Sequence, residues 1–123
     1  MKFLCLAYEE EEKLKALSQD QWDALREETI TYVNAIRSNG HLVLTQALQT
    51  AKKAATVQVR SGQTLITEGP FAESKELIGG FFMIEAADMQ EALHVAAKWR
   101  LARLVTVEVR PIEESLLRDR RYA

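Results

Sequence analysis

The sequence predicts a single α+β domain, and three observations carry that prediction. The chain has 123 residues, the size of one domain, and 47% of them are hydrophobic, which is enough for a core. Two segments have the start signals and the apolar spacing of amphipathic helices. The segments around them alternate like strands, so the predicted order is β-α-β, then a hairpin, then β-α-β.

The first strand and the first helix have the clearest signals. Residues 2–8 are apolar on both alternating faces, which is typical of a strand covered from both sides. The acidic run Glu9 to Glu12 is interpreted as a solvated loop. Ser18 and Gln21 match a capping box, and Asn39-Gly40 is a stop signal, so a helix is predicted from about residue 19 to about residue 38.

The second half of the chain adds a hairpin and another helix. Strands are predicted over residues 42–48, 56–60, 64–67, 80–86 and 104–110, with a Ser-Gly-Gln hairpin turn at residues 61–63. Asp88 is the predicted N-cap of the second helix, which ends near Trp99. Pro111 ends the last strand. The domain is therefore expected to span residues 1–112, followed by a polar C-terminal tail over residues 113–123.

The number of helices bears on the oligomeric state. Short right-handed crossovers would place both helices on one side of the sheet and leave its other face open. Because the first strand is apolar on both faces, the open face needs a cover. A second copy of the chain would supply it, so the sequence predicts a homodimer.

Charge and cysteine content limit the partners and the compartment. The formal net charge is -2 with mixed signs, so no nucleic-acid or membrane partner is expected. Arg118, Arg120 and Arg121 are interpreted as part of a solvated tail. The apolar start runs directly into acidic residues without a cleavage site, and a single Cys5 fits a reducing compartment. A cytoplasmic location is predicted.

The most distinctive stretch is Glu68-Gly69-Pro70-Phe71. Pro70 fixes its own φ angle and keeps Gly69 out of the α region, while Gly69 can adopt angles closed to other residues. Phe71 is expected to pin the turn to the core. Two interpretations remain open, a rigid turn with a solvated rim and the wall of a pocket.

This stretch and its neighbours resemble the YCII-related family, specifically a subgroup named for a DGPF motif. In this chain, Glu68 replaces the Asp of that motif. The resemblance also covers residues 2–9, 79–86, 88–97 and 107–112, which is nearly the whole chain to Ile112. It implies a ferredoxin-like sandwich of the β-α-β-β-β-α-β type, with an antiparallel sheet, that dimerises into an α+β barrel. Some members lie beside extracytoplasmic-function sigma factors, which implies a regulatory or accessory link.

The resemblance also shows which residues to look for if the chain is an enzyme. Better-studied YCII-like proteins are thought to use a His-Asp pair, with the His on the first helix. That position corresponds here to Thr29, whose hydroxyl cannot take up a proton near neutral pH as imidazole can. Residues 46–53, after the second strand, contain no carboxylate to act as the partner. The His-Asp chemistry is therefore not expected in this chain.

No metal or cofactor is expected either. His41, His94 and Cys5 lack metal-ligand spacing. The two glycines at residues 79–80 precede a strand instead of a helix, so they do not form a phosphate-binding loop. Cys5 is interpreted as a small hydrophobic residue of the core.

A ligand pocket between sheet and helices is implied, because dimeric barrels of this type bind small molecules there. The candidate lining comes from strand ends, the inner face of the first helix and the motif loop: Tyr8, Thr29, Tyr32, Glu68, Gly69, Pro70, Phe71, Lys75 and Arg110. Lys75 and Arg110 could orient an anion. Inward-pointing Glu68, Glu73 or Lys75 would favour ligand binding or catalysis.

Three functions follow as hypotheses. The first is a small-molecule-binding accessory or regulatory domain, favoured by the missing His. The second is a cofactor-independent enzyme, isomerase, lyase or monooxygenase-like, using Tyr, Glu and Lys. The third is a protein-interaction module.

Overall fold

The helices and strands have the predicted order, apart from one additional short helix after the first strand. The structure is a computed structural model that describes residues 1–115 and residue 121. Its elements are β1 Lys2–Glu9, α1 Glu11–Lys15, α2 Gln19–Ser38, β2 Leu42–Ala47, β3 Ala55–Arg60, β4 Gln63–Glu68, β5 Leu77–Glu85, α3 Met89–Ala97 and β6 Thr106–Pro111. Short 3-10 helices lie at Ala51–Lys53 and Arg100–Arg103.

Four strands form the main sheet, in the order β2-β5-β1-β6. All three strand pairs within it are antiparallel. The β3–β4 hairpin pairs only with itself and is inserted between β2 and β5. Without the hairpin, the chain follows the split β-α-β pattern, so the ferredoxin-like α+β fold is confirmed.

The helix boundaries follow from the caps that the sequence contains. Ser18 Oγ accepts a hydrogen bond from the backbone N–H of Gln21 at 3.1 Å, and Gln21 Oε1 accepts one from the Ser18 N–H at 2.9 Å. Gly40, just beyond α2, has a φ angle of 86°. Asp88 Oδ1 accepts from the N–H of Glu91 at 2.8 Å and caps α3. The predicted capping box, stop signal and second cap are confirmed.

The core lies on one face of the sheet. Phe3 and Cys5 of β1 are fully buried there, beside Ile84 of β5. Both long helices cover this face, α2 through Ile36 and α3 through Ala92, Val95 and Ala96. Burial raises the pKa of the Cys5 thiol to about 12, so this residue is an unreactive core side chain.

The opposite face of the sheet, which we call the open face, is also apolar. Leu4 pairs with Met83 and Leu6 pairs with Phe81 across β1 and β5. Their side chains alternate with the buried ones, so they lie on the side away from α2 and α3. Each of the four is only half-buried. The prediction of one apolar face left open by the helices therefore agrees with the fold.

The acidic run is not a solvated loop, and that interpretation was wrong. Glu9 ends β1, and α1 begins two residues later. The run continues as Glu-Glu-Lys-Leu-Lys, in which acidic and basic residues lie three apart on one helical face. Glu10 contacts Lys13 at 3.8 Å and Glu12 contacts Lys15 at 3.7 Å.

Phe71 does not pin its turn to the core, because 76% of its surface is exposed. Gly69 has a φ angle of 97°, in the region that the motif predicts for it. Its N–H donates to Ala54 O at 2.7 Å and its carbonyl accepts from Thr56 Oγ1 at 2.9 Å. The motif is therefore fastened to the base of the hairpin, which directs Phe71 away from the core.

The hairpin itself carries an apolar stripe. Val57 pairs with Ile66 across the two strands, and Val59 follows on the same side. These three side chains are 65%, 73% and 59% exposed, respectively. The stripe is therefore apolar surface that the described part of the chain leaves exposed.

Two expectations concern the termini and membranes. None of the helices in the described ranges is long and apolar enough to cross a membrane. Arg118 and Arg120, assigned to a solvated tail, lie outside the described residues.

Candidate functional site

A cavity of about 370 Å³ lies between α2 and the inner face of the sheet, and we call it the helix-sheet cavity. Its size falls in the range of small-molecule sites in proteins. The helix side is formed by residues one turn apart on α2, including Trp22, Leu25, Thr29, Tyr32 and Val33. The sheet side is formed by β1, β2 and β5, and Leu14 of α1 and Trp99 complete the wall.

Hydrogen bonds fix the polar atoms of the helix wall. The indole Nε1 of Trp99 donates to Thr29 Oγ1 at 3.0 Å. The hydroxyl of Tyr32 donates to the carbonyl oxygen of Val95 at 2.7 Å, and burial raises the pKa of this phenol. Phe82 packs edge-on against both rings, at centroid distances of 6.2 Å from Tyr32 and 5.7 Å from Trp99. Thr29 and Tyr32 are therefore committed to structure, and neither is placed to move a proton at neutral pH.

Glu9 is the one carboxylate that lines the helix-sheet cavity within the described part of the chain. It follows Phe3, Cys5 and Ala7 on the inner face of β1 and is half-buried. Desolvation, and then the charge of Glu11, raises the pKa of this carboxyl group. Neither a hydrogen bond nor an ion pair joins the Glu9 side chain to the rest of the described residues.

Gly79 makes room for this carboxyl group. A methyl group added at Gly79 would overlap the Cδ and both oxygens of Glu9. The β1–β5 register shifts between Ala7 and Tyr8, so Gly79 is the extra residue of a bulge opposite this step. The bulge and the missing side chain together let the Glu9 carboxylate turn towards the cavity.

The cationic residue at this cavity already has an anionic neighbour. Arg26 lines the cavity, and its Nη2 lies 3.7 Å from Asp23 Oδ1 on the same helix. The guanidinium is largely exposed, so this pair is weak and sits at the edge of the site. Glu9 therefore contributes an uncompensated negative charge to a largely apolar cavity.

A second cavity, of about 650 Å³, lies beside the motif loop, and we call it the loop cavity. It is lined by Tyr8, Pro70, Phe71 and Glu76, together with residues 48–51, 53 and 54. The Tyr8 hydroxyl donates to Glu108 Oε1 at 3.2 Å. The loop cavity is wider and more open to solvent than the helix-sheet cavity.

The candidate lining residues from the sequence thus divide between two places. Thr29 and Tyr32 line the helix-sheet cavity, whereas Tyr8, Pro70 and Phe71 line the loop cavity. The other four candidates line neither cavity: Glu68, Gly69, Lys75 and Arg110.

The charged candidates face solvent. Glu68, Glu73 and Lys75 are exposed, so none of them supplies the inward charge that the sequence analysis looked for. Arg110 pairs with Leu4 on the open face of the sheet. The inward charge comes from Glu9 instead.

Glu9 and Trp99 are two residues important to the cavity that the sequence analysis did not name as site residues. The signal for Glu9 was the strand alternation itself, since Phe3, Cys5 and Ala7 fix the inner face and residue 9 continues it. Trp99 had no such signal, because its indole meets Thr29 from a segment 70 residues away in the chain.

His41 and His94 belong to no cluster of metal-ligand side chains within the described residues. The described residues contain no group of three or more His, Cys, Asp or Glu side chains that could hold an ion. His41 Nδ1 lies 2.8 Å from the carbonyl oxygen of Glu85, an arrangement that ties the start of β2 to the end of β5.

Two comparisons with known proteins extend to most of the chain. The family model for the YCII-related domain matches residues 1–115. An uncharacterized protein of Rhizobium meliloti (strain 1021) is 31% identical over 114 residues, which cover 91% of this chain and 92% of that relative. The DGPF subgroup rests on the motif alone and stays a prediction.

Proposed function

The chain belongs to the YCII-related family, and we propose that it is a small-molecule-binding domain with an accessory or regulatory role. The helix-sheet cavity is the binding site in this proposal. A regulatory role linked to a sigma factor, which the resemblance implies, would couple ligand occupancy to a protein partner.

The observation that carries the proposal is the cavity with its aromatic and aliphatic walls and one inward carboxylate. Small-molecule sites are mostly apolar and use few polar groups to orient the ligand. The walls are held by the Trp99–Thr29 and Tyr32–Val95 hydrogen bonds, which makes the site largely preformed. A preformed site loses little conformational entropy when a ligand binds.

A thermal-shift screen with compact apolar compounds tests this proposal. A ligand that binds only the folded state raises the melting temperature by mass action. Val33→Phe fills the cavity from α2 and should abolish the shifts. Ala35→Phe adds a similar ring on the same helix, at an exposed position outside the cavity lining, and should preserve them. A chemically broad set that produces no shift would favour the protein-interaction module instead.

A cofactor-independent enzyme is the second candidate, and Glu9 is the observation that favours it. A carboxyl group with a raised pKa in an apolar cavity can exchange a proton with a bound substrate. Isomerase or lyase chemistry needs such a group beside the reacting carbon.

Proton exchange into bound compounds distinguishes the enzyme from the binding domain. Compounds that raise the melting temperature would be incubated with the protein in D₂O and analysed by mass spectrometry. Deuterium uptake that is lost in Glu9→Gln supports the enzyme. Compounds that bind but take up no deuterium would support the non-catalytic binding domain.

We also propose that the chain self-associates through the open face. The side chains of Leu4, Leu6, Phe81 and Met83 form a continuous apolar patch across β1 and β5. Both α2 and α3 pack on the other face, and the four side chains of the patch stay partly exposed in the described part of the chain. A second copy covers it by presenting the same patch about a two-fold axis.

A further inference from the structure

We propose that the helix-sheet cavity selects small apolar amines, and that the Glu9 carboxylate is the counter-ion for their ammonium group. This inference rests on the proposed binding function and names the ligand class for it. Glu9 is the positioning group, and the aromatic walls hold the apolar part of the ligand.

The first support is that Glu9 differs from its neighbours in the acidic run. Glu10 pairs with Lys13, and Glu12 pairs with Lys15. Glu11 accepts hydrogen bonds from Thr50 and from the backbone N–H of residue 51, each at 2.9 Å. Of the four, only the Glu9 side chain has no hydrogen-bond or ion-pair partner among the described residues. It is also the one that lines the helix-sheet cavity.

The second support is the cost of leaving this carboxylate unpaired. A half-buried charge that has lost water on one side without gaining a partner is unfavourable. An ammonium group bound beside it would restore the lost interaction through a charge-assisted hydrogen bond. An anionic ligand would be repelled, and a neutral ligand would leave the carboxylate uncompensated.

The third support is that the protein does not provide its own cation. Arg26 is the cationic side chain of the cavity lining, and it is exposed and paired with Asp23. The charged and titratable groups that line the cavity within the described residues are then Glu9, Arg26 and the phenol of Tyr32. Of these groups, Glu9 carries the half-buried charge, and a negative charge favours a cation as ligand.

The fourth support is the chemistry of the walls. Trp22, Tyr32, Phe82 and Trp99 all line the cavity. Aromatic faces attract ammonium groups and also bury the apolar body of a ligand. A ligand with one ammonium group and a compact apolar body matches both features, and a volume of about 370 Å³ restricts it to small molecules.

Three matched probes test the inference: benzylamine, benzyl alcohol and benzoate. They have the same ring and differ in charge, and their affinities would be measured by NMR titration of the full chain at neutral pH. We expect wild type to bind the amine about tenfold more tightly than the alcohol, which corresponds to about 1.4 kcal/mol, and benzoate most weakly.

Glu9→Gln should remove the preference for the amine over the alcohol, because it keeps the shape of the side chain and loses its charge. Glu9→Asp should retain part of the preference. Glu10→Gln is the matched control. It removes the same charge from the neighbouring residue, whose side chain is outside the cavity lining. It should keep the full preference for the amine.

The outcomes separate the two proposals. Equal affinity for amine and alcohol in wild type, or a preference that survives in Glu9→Gln, overturns the amine inference and leaves the cavity as a binding site. Failure of all three probes to bind counts against the cavity as a ligand site, and so against both proposals.

Discussion

Glu9 and Glu11 lie two residues apart, and their carboxyl groups have opposite environments. Glu9 faces the helix-sheet cavity, where desolvation raises its pKa. Glu11 accepts hydrogen bonds from the N–H of Ala51 and from the hydroxyl of Thr50. Both lower its pKa, and the bond from Ala51 has the larger effect. A change of direction at Glu10, between the end of β1 and the start of α1, produces the difference.

This contrast predicts two opposite pH dependences. The raised pKa of Glu9 means that the folded state holds its proton more tightly than the unfolded chain. Its contribution to stability is therefore fully present below the ordinary value of 4.5 and is lost as the pH rises through the raised pKa. We expect the free energy of unfolding of wild type, minus that of Glu9→Gln, to fall over this window and then to stay level.

Glu11 should show the reverse. Its lowered pKa gives stability that is present above 4.5 and is lost as the pH falls through the lowered value. The difference between wild type and Glu11→Gln should shrink on acidification. Urea unfolding of both variants across the acidic range measures the two slopes. Slopes of the same sign would contradict the assigned environments.

The Trp99–Thr29 hydrogen bond predicts a cost for removing one hydroxyl. Thr29→Val keeps the shape of the side chain and leaves the indole N–H of Trp99 without its acceptor. We expect a loss of about 1–2 kcal/mol in the free energy of unfolding, measured in urea with tryptophan fluorescence as the probe.

Thr31→Val is the control for this substitution. Thr31 lies two residues further along α2 and is exposed, so its replacement should change stability by less than about 0.5 kcal/mol. An equal effect of both variants would mean that the Trp99 contact contributes nothing.

The two adjacent glycines of β5 predict unequal effects of alanine. At Gly79 the added methyl group meets only the end of the Glu9 side chain, which can rotate away. At Gly80 it would lie 3.1 Å from the backbone oxygen of Gln46, which cannot move without disturbing β2. We expect Gly80→Ala to cost about 1 kcal/mol more than Gly79→Ala in urea unfolding.

Gly79→Ala should have a second effect, on Glu9 itself. A carboxyl group displaced from the cavity regains water, so its pKa should fall towards 4.5. Carbon-detected NMR titration of the Glu9 carboxyl measures this shift, with Gly80→Ala as the comparison. An unchanged titration of Glu9 in Gly79→Ala would argue that the carboxyl group does not occupy this space.

Local signals in the sequence were sufficient for the main elements. The ends of α2 follow from Ser18, Gln21 and Gly40, which act on backbone groups within one helical turn. The inner and outer faces of β1 follow from simple alternation. Interactions between residues this close in the sequence can be predicted without knowing the fold.

The site depends on contacts that are distant in sequence, and here prediction was weaker. The motif at residues 68–71 led to the expectation of a single pocket, but its turn is fastened to the hairpin base through Ala54 and Thr56. The run of four acidic residues concealed that only Glu9 continues the inner face of β1. Trp99, whose indole donates to Thr29, lies just beyond the C-terminal end of α3.

Self-association through the open face gives the final prediction. Leu4 belongs to the patch and lies between Met83 of β5 and Arg110 of β6. Leu4→Lys would place an unpaired charge beside Arg110 in the interface, which costs several kcal/mol when buried. We expect wild type to sediment as a dimer at micromolar concentration and Leu4→Lys to dissociate at least about 100-fold more readily, which is about 2.7 kcal/mol.

Leu93→Lys is the matched control for that experiment. Leu93 is on α3, on the opposite side of the sheet, and is already 51% exposed, so the same substitution there should leave the dimer intact. Circular dichroism would verify that both variants keep the fold. A monomeric wild type would exclude the second copy as the cover for the open face, and the apolar patch would then require a different protein partner.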